Sequence, residues 1–141
     1  VVVLPYFLAP LIGWFVSGVL KFAINYIRFG KEAKQRVGNG GFPSTHTTVV
    51  TTPSMLIGLS EGFNSPMFAL AAAVTFIVII DATGLRRAVG RHAVAINLMT
   101  SDSSAVQPTK LRESMGHTRL EIVGGLLLGI LLGYLLYGIA G

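Results

Sequence analysis

Residues 122–141 read Ile-Val-Gly-Gly-Leu-Leu-Leu-Gly-Ile-Leu-Leu-Gly-Tyr-Leu-Leu-Tyr-Gly-Ile-Ala-Gly, a run without a charged side chain. At about 1.5 Å per residue, a helix of this length spans the roughly 30 Å hydrocarbon core of a bilayer. Gly125, Gly129 and Gly133 recur at four-residue intervals and fall on one helix face, a small-residue seam that lets another helix approach closely. That other helix belongs either to the same chain or to a second copy, in a homodimer joined through Gly125, Gly129 and Gly133.

Further toward the amino terminus, residues 62–80 and 1–20 are also free of charge. Over the 141 residues, 52% are hydrophobic and 12% charged, about half the charged share of a soluble domain. Lipid is therefore the expected solvent, and the length fits a single domain over residues 1–141. The first run lacks a basic start, which points to a retained helix rather than a cleaved signal. The absence of cysteine excludes a disulfide framework, a thiolate zinc site and a cysteine nucleophile.

The expected fold is all-α, an integral membrane bundle of about four transmembrane helices plus an interfacial amphipathic helix. The first helix runs from about Leu4 to Ile27 and the last from about Arg119 to Gly141. The third begins at Ser65-Pro66, a cap followed by a residue suited to the first helical position, and runs to about Thr83. The second, from about Ser44 to Ser60, carries Thr47, Thr48, Thr51, Thr52, Pro53 and Ser54. It is expected to be buried among the others and kinked near Pro53. Between the third and last helices, Leu85, Ala88, Val89, Ile96 and Met99 recur at helical spacing, with Arg87 and Arg91 on another face. That pattern predicts the interfacial helix, followed by a polar loop over residues 100–110.

On this topology all 11 lysines and arginines collect at one membrane side. By the positive-inside rule that side is cytoplasmic, in a membrane expected to be the bacterial cytoplasmic one. Arginines kept to bind an anion produce the same bias.

Three clusters on the basic side carry chemistry. Lys21 and Arg28 lie two helical turns apart on one face, with Asn25 between them. Arg28 also suits a plain helix end. Lys21 lies about 10 Å back from that end, in otherwise apolar sequence. The second cluster, Gly40-Gly41-Phe42-Pro43-Ser44-Thr45-His46, ends a glycine-rich loop and opens a helix, whose free amide groups and positive dipole end suit phosphate. There Ser44 caps the helix or donates to an anion, and His46 exchanges protons near neutral pH. In the third cluster Arg112 precedes His117, and Glu121 follows His117 by four residues, within reach on one helix face. Glu121 either fixes the imidazole tautomer, leaving the other nitrogen as nucleophile or base, or closes a capping box with Thr118.

Taken in order, K-x6-R, P-S-x-H and R-x4-H-x3-E, the clusters resemble the three-part signature of the type 2 phosphatidic acid phosphatase superfamily, which includes vanadium-dependent haloperoxidases. With DATGLRRAVG and LRESMGHTRLEIVGG around them, they look most like its short divergent branch of small membrane proteins. Phe29, Thr45, Leu111 and Glu121 stand where the general signature has proline, glycine, serine and aspartate, and the Arg-to-His interval is one residue shorter. The resemblance implies a metal-independent lipid phosphate phosphatase, a hydrolase that needs no cofactor. It implies His117 as nucleophile, His46 as acid to the leaving group and Glu121 as orienter, with Lys21, Arg28, Ser44 and Arg112 holding phosphate. The partners implied are a lipid phosphate substrate and membrane lipids, with no nucleic acid.

Asp81, Arg86 and Arg87 lie at the same membrane side, as an ion pair or as supporting residues of the site. His92 reads as a surface histidine. The alternative function is non-catalytic: a membrane protein that binds or passes phosphate-like anions, or docks on anionic lipids. A metal site from His46, His117, Asp81 and Glu121 is opposed by the neighbouring arginines.

Overall fold

The computed structural model describes residues 5–36, 41–101 and 109–140. They form α1 (Leu8–Phe29), a 3-10 helix (Gly30–Arg36), α2 (Thr45–Glu61), α3 (Pro66–Thr83), α4 (Leu85–Thr100) and α5 (Arg119–Ala140). The all-α membrane bundle read from the sequence is the fold observed. Most of the loop expected over 100–110 lies outside the described residues.

Caps set the starts of two helices. Ser65 Oγ accepts from the Phe68 amide at 3.2 Å with Pro66 in the first turn, and Ser44 Oγ accepts from the Thr47 amide at 3.4 Å. Gly84 alone separates α3 from α4.

Among the described residues, three segments are long and apolar enough to cross a membrane: Leu8–Lys34, Pro66–Thr100 and Arg119–Ile139. The outward faces of the bundle carry large apolar side chains, among them Leu11, Phe15, Leu70, Phe76, Ile77, Leu127, Leu131 and Ile139. On helices long and apolar enough to span a bilayer, such side chains suit contact with lipid.

The fourth expected spanning helix, α2, is the post around which the bundle is built. It packs against α1, α3 and α5. Its buried residues are largely hydroxylic: Thr47, Thr48, Thr51, Thr52 and Ser54. Such a face survives away from water because most of its hydroxyls find acceptors close by; among the described residues Thr51 Oγ1 is buried without a hydrogen-bond partner. Thr48 Oγ1 donates to Ser44 O at 2.9 Å and to Gly125 O at 3.2 Å, and Thr52 Oγ1 donates to Thr48 O at 2.8 Å. Ser54 Oγ donates to Val50 O at 2.6 Å and meets Thr75 Oγ1 of α3 at 3.0 Å. The helix continues through Pro53 to Glu61.

Glycine permits these approaches. A Cβ on Gly125 would stand 2.6 Å from Ser44 O, one on Gly129 2.6 Å from Thr51 Cβ, and one on Gly133 2.8 Å from Thr52 O. The α5 seam is thus filled by α2 of the same chain, so those three glycines present no open face to a second copy. Gly13 of α1 likewise lies close to α2, where a Cβ would stand 2.8 Å from Thr52 Oγ1. Lipid tails are as apolar as leucine, so close packing and hydrogen bonds rather than water exclusion hold the three helices together.

α4 is amphipathic as expected. Gly90 and Ala93 are buried, while Leu85, Val89, Leu98 and Met99 are exposed beside Arg87 and Arg91. His92 is exposed, in keeping with a surface histidine.

Candidate active site

The chain order brings the end of α1, the start of α2, the end of α3 and the start of α5 to one end of the bundle. A cavity of about 920 Å³ opens there. α1 lines it with Lys21 and Asn25, the first turn of α2 with Thr45 and His46, α4 with Arg86, and the segment before α5 with Arg112, Ser114 and His117. Below this polar head the walls are apolar: Trp14, Phe15, Val19 and Phe22 from α1, Val49 and Val50 from α2, Val78 from α3.

His117 is buried, with 7% of its surface exposed. Its amide donates to Ala82 O at 3.1 Å, tying it to the last turn of α3. Its Nδ1 lies 3.0 Å from Glu121 Oε2, which leaves Nε2 as the ring nitrogen not engaged by that carboxylate. The same Oε2 accepts from the Thr118 amide at 3.0 Å, while the Glu121 amide donates to Thr118 Oγ1 at 3.3 Å. The two readings of Glu121 therefore coexist, since one oxygen closes the capping box and holds the imidazole. A capping box fixes the carboxylate's rotamer, and a fixed carboxylate fixes the ring.

His46 stands across from His117, with ring centroids 5.7 Å apart and planes tilted by 60°. It projects from the first turn of α2, whose position is set by Ser44. The Ser44 amide donates to Glu121 O at 2.8 Å, so the start of α2 is anchored to the first turn of α5. His46 in the first turn of α2 and His117 in the segment just before α5 are thus carried by helix starts locked to each other.

The remaining expected residues divide by place. Lys21 lines the cavity, and the backbone of Gly41, at φ +148°, runs beside its aliphatic stem. Arg28 is exposed in the last turn of α1 and does not line the cavity. Seven residues return a side chain to the same face but carry it about 10 Å along the axis, and Ala33 of the 3-10 helix, not Arg28, contributes to the wall. Ser44 is fully buried and also accepts from Thr47 Oγ1 at 3.0 Å; it caps α2 and does not line the cavity.

Asp81 pairs with Arg86, Oδ2 to Nε at 3.0 Å, and Arg86 borders the cavity. Both side chains are partly solvated, so the pair orients the guanidinium more than it stabilises the fold. Arg87 instead folds over Gly116, whose φ of +89° and lack of a Cβ let the stem approach. Among the described residues no group of three His, Cys, Asp or Glu side chains is placed to hold a metal ion. Thr45 and Ser114 are cavity residues without a distinguishing sequence signal of their own; for Thr45 the hint was adjacency to His46.

A sequence profile described as "Divergent PAP2 family" matches residues 4–132. The "Uncharacterized membrane protein YuiD" of Bacillus subtilis (strain 168) is 36% identical over 107 aligned residues, covering 66% of this chain and 68% of that protein. No solved structure matches the chain.

Proposed function

This chain belongs to the Divergent PAP2 family, and on that premise we propose that it is an integral membrane phosphatase acting on a lipid phosphate through a phosphohistidine intermediate. The observation that carries the reading is a buried histidine held at Nδ1 by a carboxylate, with a second histidine 5.7 Å away, on a cavity edged by Lys21, Arg86 and Arg112. The apolar walls beneath suit the lipid part of the substrate.

In the proposed reaction His117 Nε2 attacks phosphorus as the ester P–O bond breaks. The electron pair of that bond stays on the departing lipid oxygen, which takes a proton from His46. Water, giving a proton back to His46, then attacks the phosphohistidine. The P–N electron pair returns to the imidazole and inorganic phosphate leaves. Glu121 stabilises the positive charge that the ring carries while phosphorylated. Lys21, Arg86 and Arg112 offset the charge on the equatorial oxygens of the transferring group.

A second reading, an anion-binding membrane protein without turnover, is favoured by one observation. Arg28 and Ser44, two of the four residues that the resemblance assigns to phosphate, do not line the cavity. The experiment that separates the readings measures phosphate release by the purified protein in detergent, over a panel of lipid phosphates, beside orthovanadate binding. Turnover inhibited competitively by vanadate supports the phosphatase, whereas binding without release on any substrate leaves only the second reading. Lys21→Met is expected to weaken vanadate inhibition about tenfold or more and to reduce the thermal stabilisation that vanadate gives by mass action. Undiminished inhibition removes Lys21 from the site.

The cavity is further proposed to face the cytoplasm, by the positive-inside argument. The chain has no cysteine, so single cysteines report cleanly. In intact cells, cysteines at Lys34 or Lys110 are expected to be shielded from an impermeant thiol reagent and one at Asn64 to react. The opposite pattern places the site outside.

A further inference from the structure

We propose that Asn97, on α4, is a positioning residue for Arg112. The inference rests on the assignment of Arg112 to phosphate made above. Residues 109–118, which carry Arg112, Ser114 and His117, have no regular secondary structure. An extended segment at the mouth of a cavity needs partners for its backbone groups, and here α4 supplies them. Asn97 Oδ1 accepts from the Leu111 amide at 2.9 Å, and Asn97 Nδ2 donates to Leu111 O at 2.8 Å. One carboxamide thereby holds both backbone groups of the residue preceding Arg112, as a neighbouring strand would. Nδ2 also donates to Glu113 Oε1 at 2.9 Å, so Arg112 is bracketed by residues fixed on Asn97.

The rest of the segment lies along the same helix. A Cβ on Gly90 would stand 2.8 Å from Glu113 O, and Arg87 packs over Gly116. Gly90 and Asn97 lie seven residues apart, about two turns on one face. α4 is therefore a splint, in contact at Gly116, Glu113 and Leu111 in turn. His117 has its own anchors in Ala82 and Glu121. Arg112 lies further from those anchors, next to the Asn97 staple, so loosening the staple acts chiefly on phosphate affinity.

The test uses the full chain in detergent with orthovanadate as probe, read by binding and by amide hydrogen exchange. Asn97→Ala is expected to weaken vanadate binding about tenfold and to deprotect peptides covering 109–118, while α2 and α5 keep their protection. In an Arg112→Ala background, Asn97→Ala should change affinity no further, because what it positions is already gone. A merely structural role would instead give additive losses.

If Asn97→Ala loses protection throughout, a charge swap replaces it. Asn97→Asp removes the donor to both Leu111 O and Glu113 Oε1 and sets two carboxylates together, which should weaken binding, and adding Glu113→Gln restores a donor to the second of these contacts and should recover it in part. Wild-type affinity in Asn97→Ala, full additivity with Arg112→Ala, or no recovery in the swap overturns the inference while leaving the phosphate site intact. Failure of the unsubstituted protein to bind vanadate overturns the phosphate site itself, and the inference with it.

Discussion

His117→Ala is expected to abolish both turnover and acid-labile phosphoenzyme for every substrate, a loss on the order of 10⁴-fold or more. The size follows from the proposed role. A nucleophile forms the bond to phosphorus, and no neighbouring group can substitute, since His46 lies across the cavity with its ring centroid 5.7 Å away. His46→Ala is expected to separate substrates by leaving group. With a lipid alkoxide departing, loss of the acid costs roughly 10²–10⁴-fold. With an aryl phosphate, whose leaving group needs little protonation, much of the activity should remain. Radiolabelled phosphate transfer followed by acid and alkali treatment identifies the phosphohistidine, and paired assays on the two substrate types give the leaving-group dependence. Phosphoenzyme that persists in His117→Ala sinks the assignment, as does an equal loss on both substrates in His46→Ala for its role as acid.

The second large effect lies in packing. Gly125→Ala puts a methyl group 2.6 Å from Ser44 O and 2.9 Å from Thr47 Cβ. The first of these is backbone at a helix start and cannot rotate aside. α5 must move off α2, and with it go the Thr48 hydrogen bond to Gly125 O and the Ser44 amide bond to Glu121 O. Overpacking of this kind costs about 1–3 kcal/mol, and it shifts the His117–Glu121 pair relative to His46. The expected result is a lower unfolding temperature in detergent together with loss of phosphate release. Gly138→Ala is the control, because a Cβ there meets nothing within 4 Å; on helix propensity it should be neutral or stabilising. If Gly125→Ala melts with the wild type, α5 does not pack on α2 as described.

The capping pattern T-x-x-E at Thr118–Glu121 and the spacing of His117 and Glu121 were both legible in the linear chain, because each interaction spans one helical turn. What the spacing left open, whether Glu121 caps or orients, is resolved by one oxygen bonded to both groups. Ser44 is the opposite case. A serine at a helix start is suited equally to an anion and to its own helix, and only the packing of α5 over that turn buries it completely.

The sequence by itself determined that this is an all-α membrane protein with its charge gathered at one end. Hydropathy adds along the chain, and in lipid a run such as 122–141 satisfies its backbone groups internally as a helix. It also marked the cap at Ser65 and the run of glycines along one face of α5. Tertiary structure decided the rest. It showed that the hydroxyl-rich α2 is the central post, because its hydroxyls bond back to carbonyls of their own helix and, at Thr48, to Gly125 O of α5, while glycines let the neighbouring helices close over that face. It decided that Lys21, and not Arg28, borders the cavity, since seven residues preserve a face but not a depth. It brought Asn97 to Leu111 across fourteen residues, a contact that no local period encodes, because its partner is an irregular segment whose path is set by the helix it leans on.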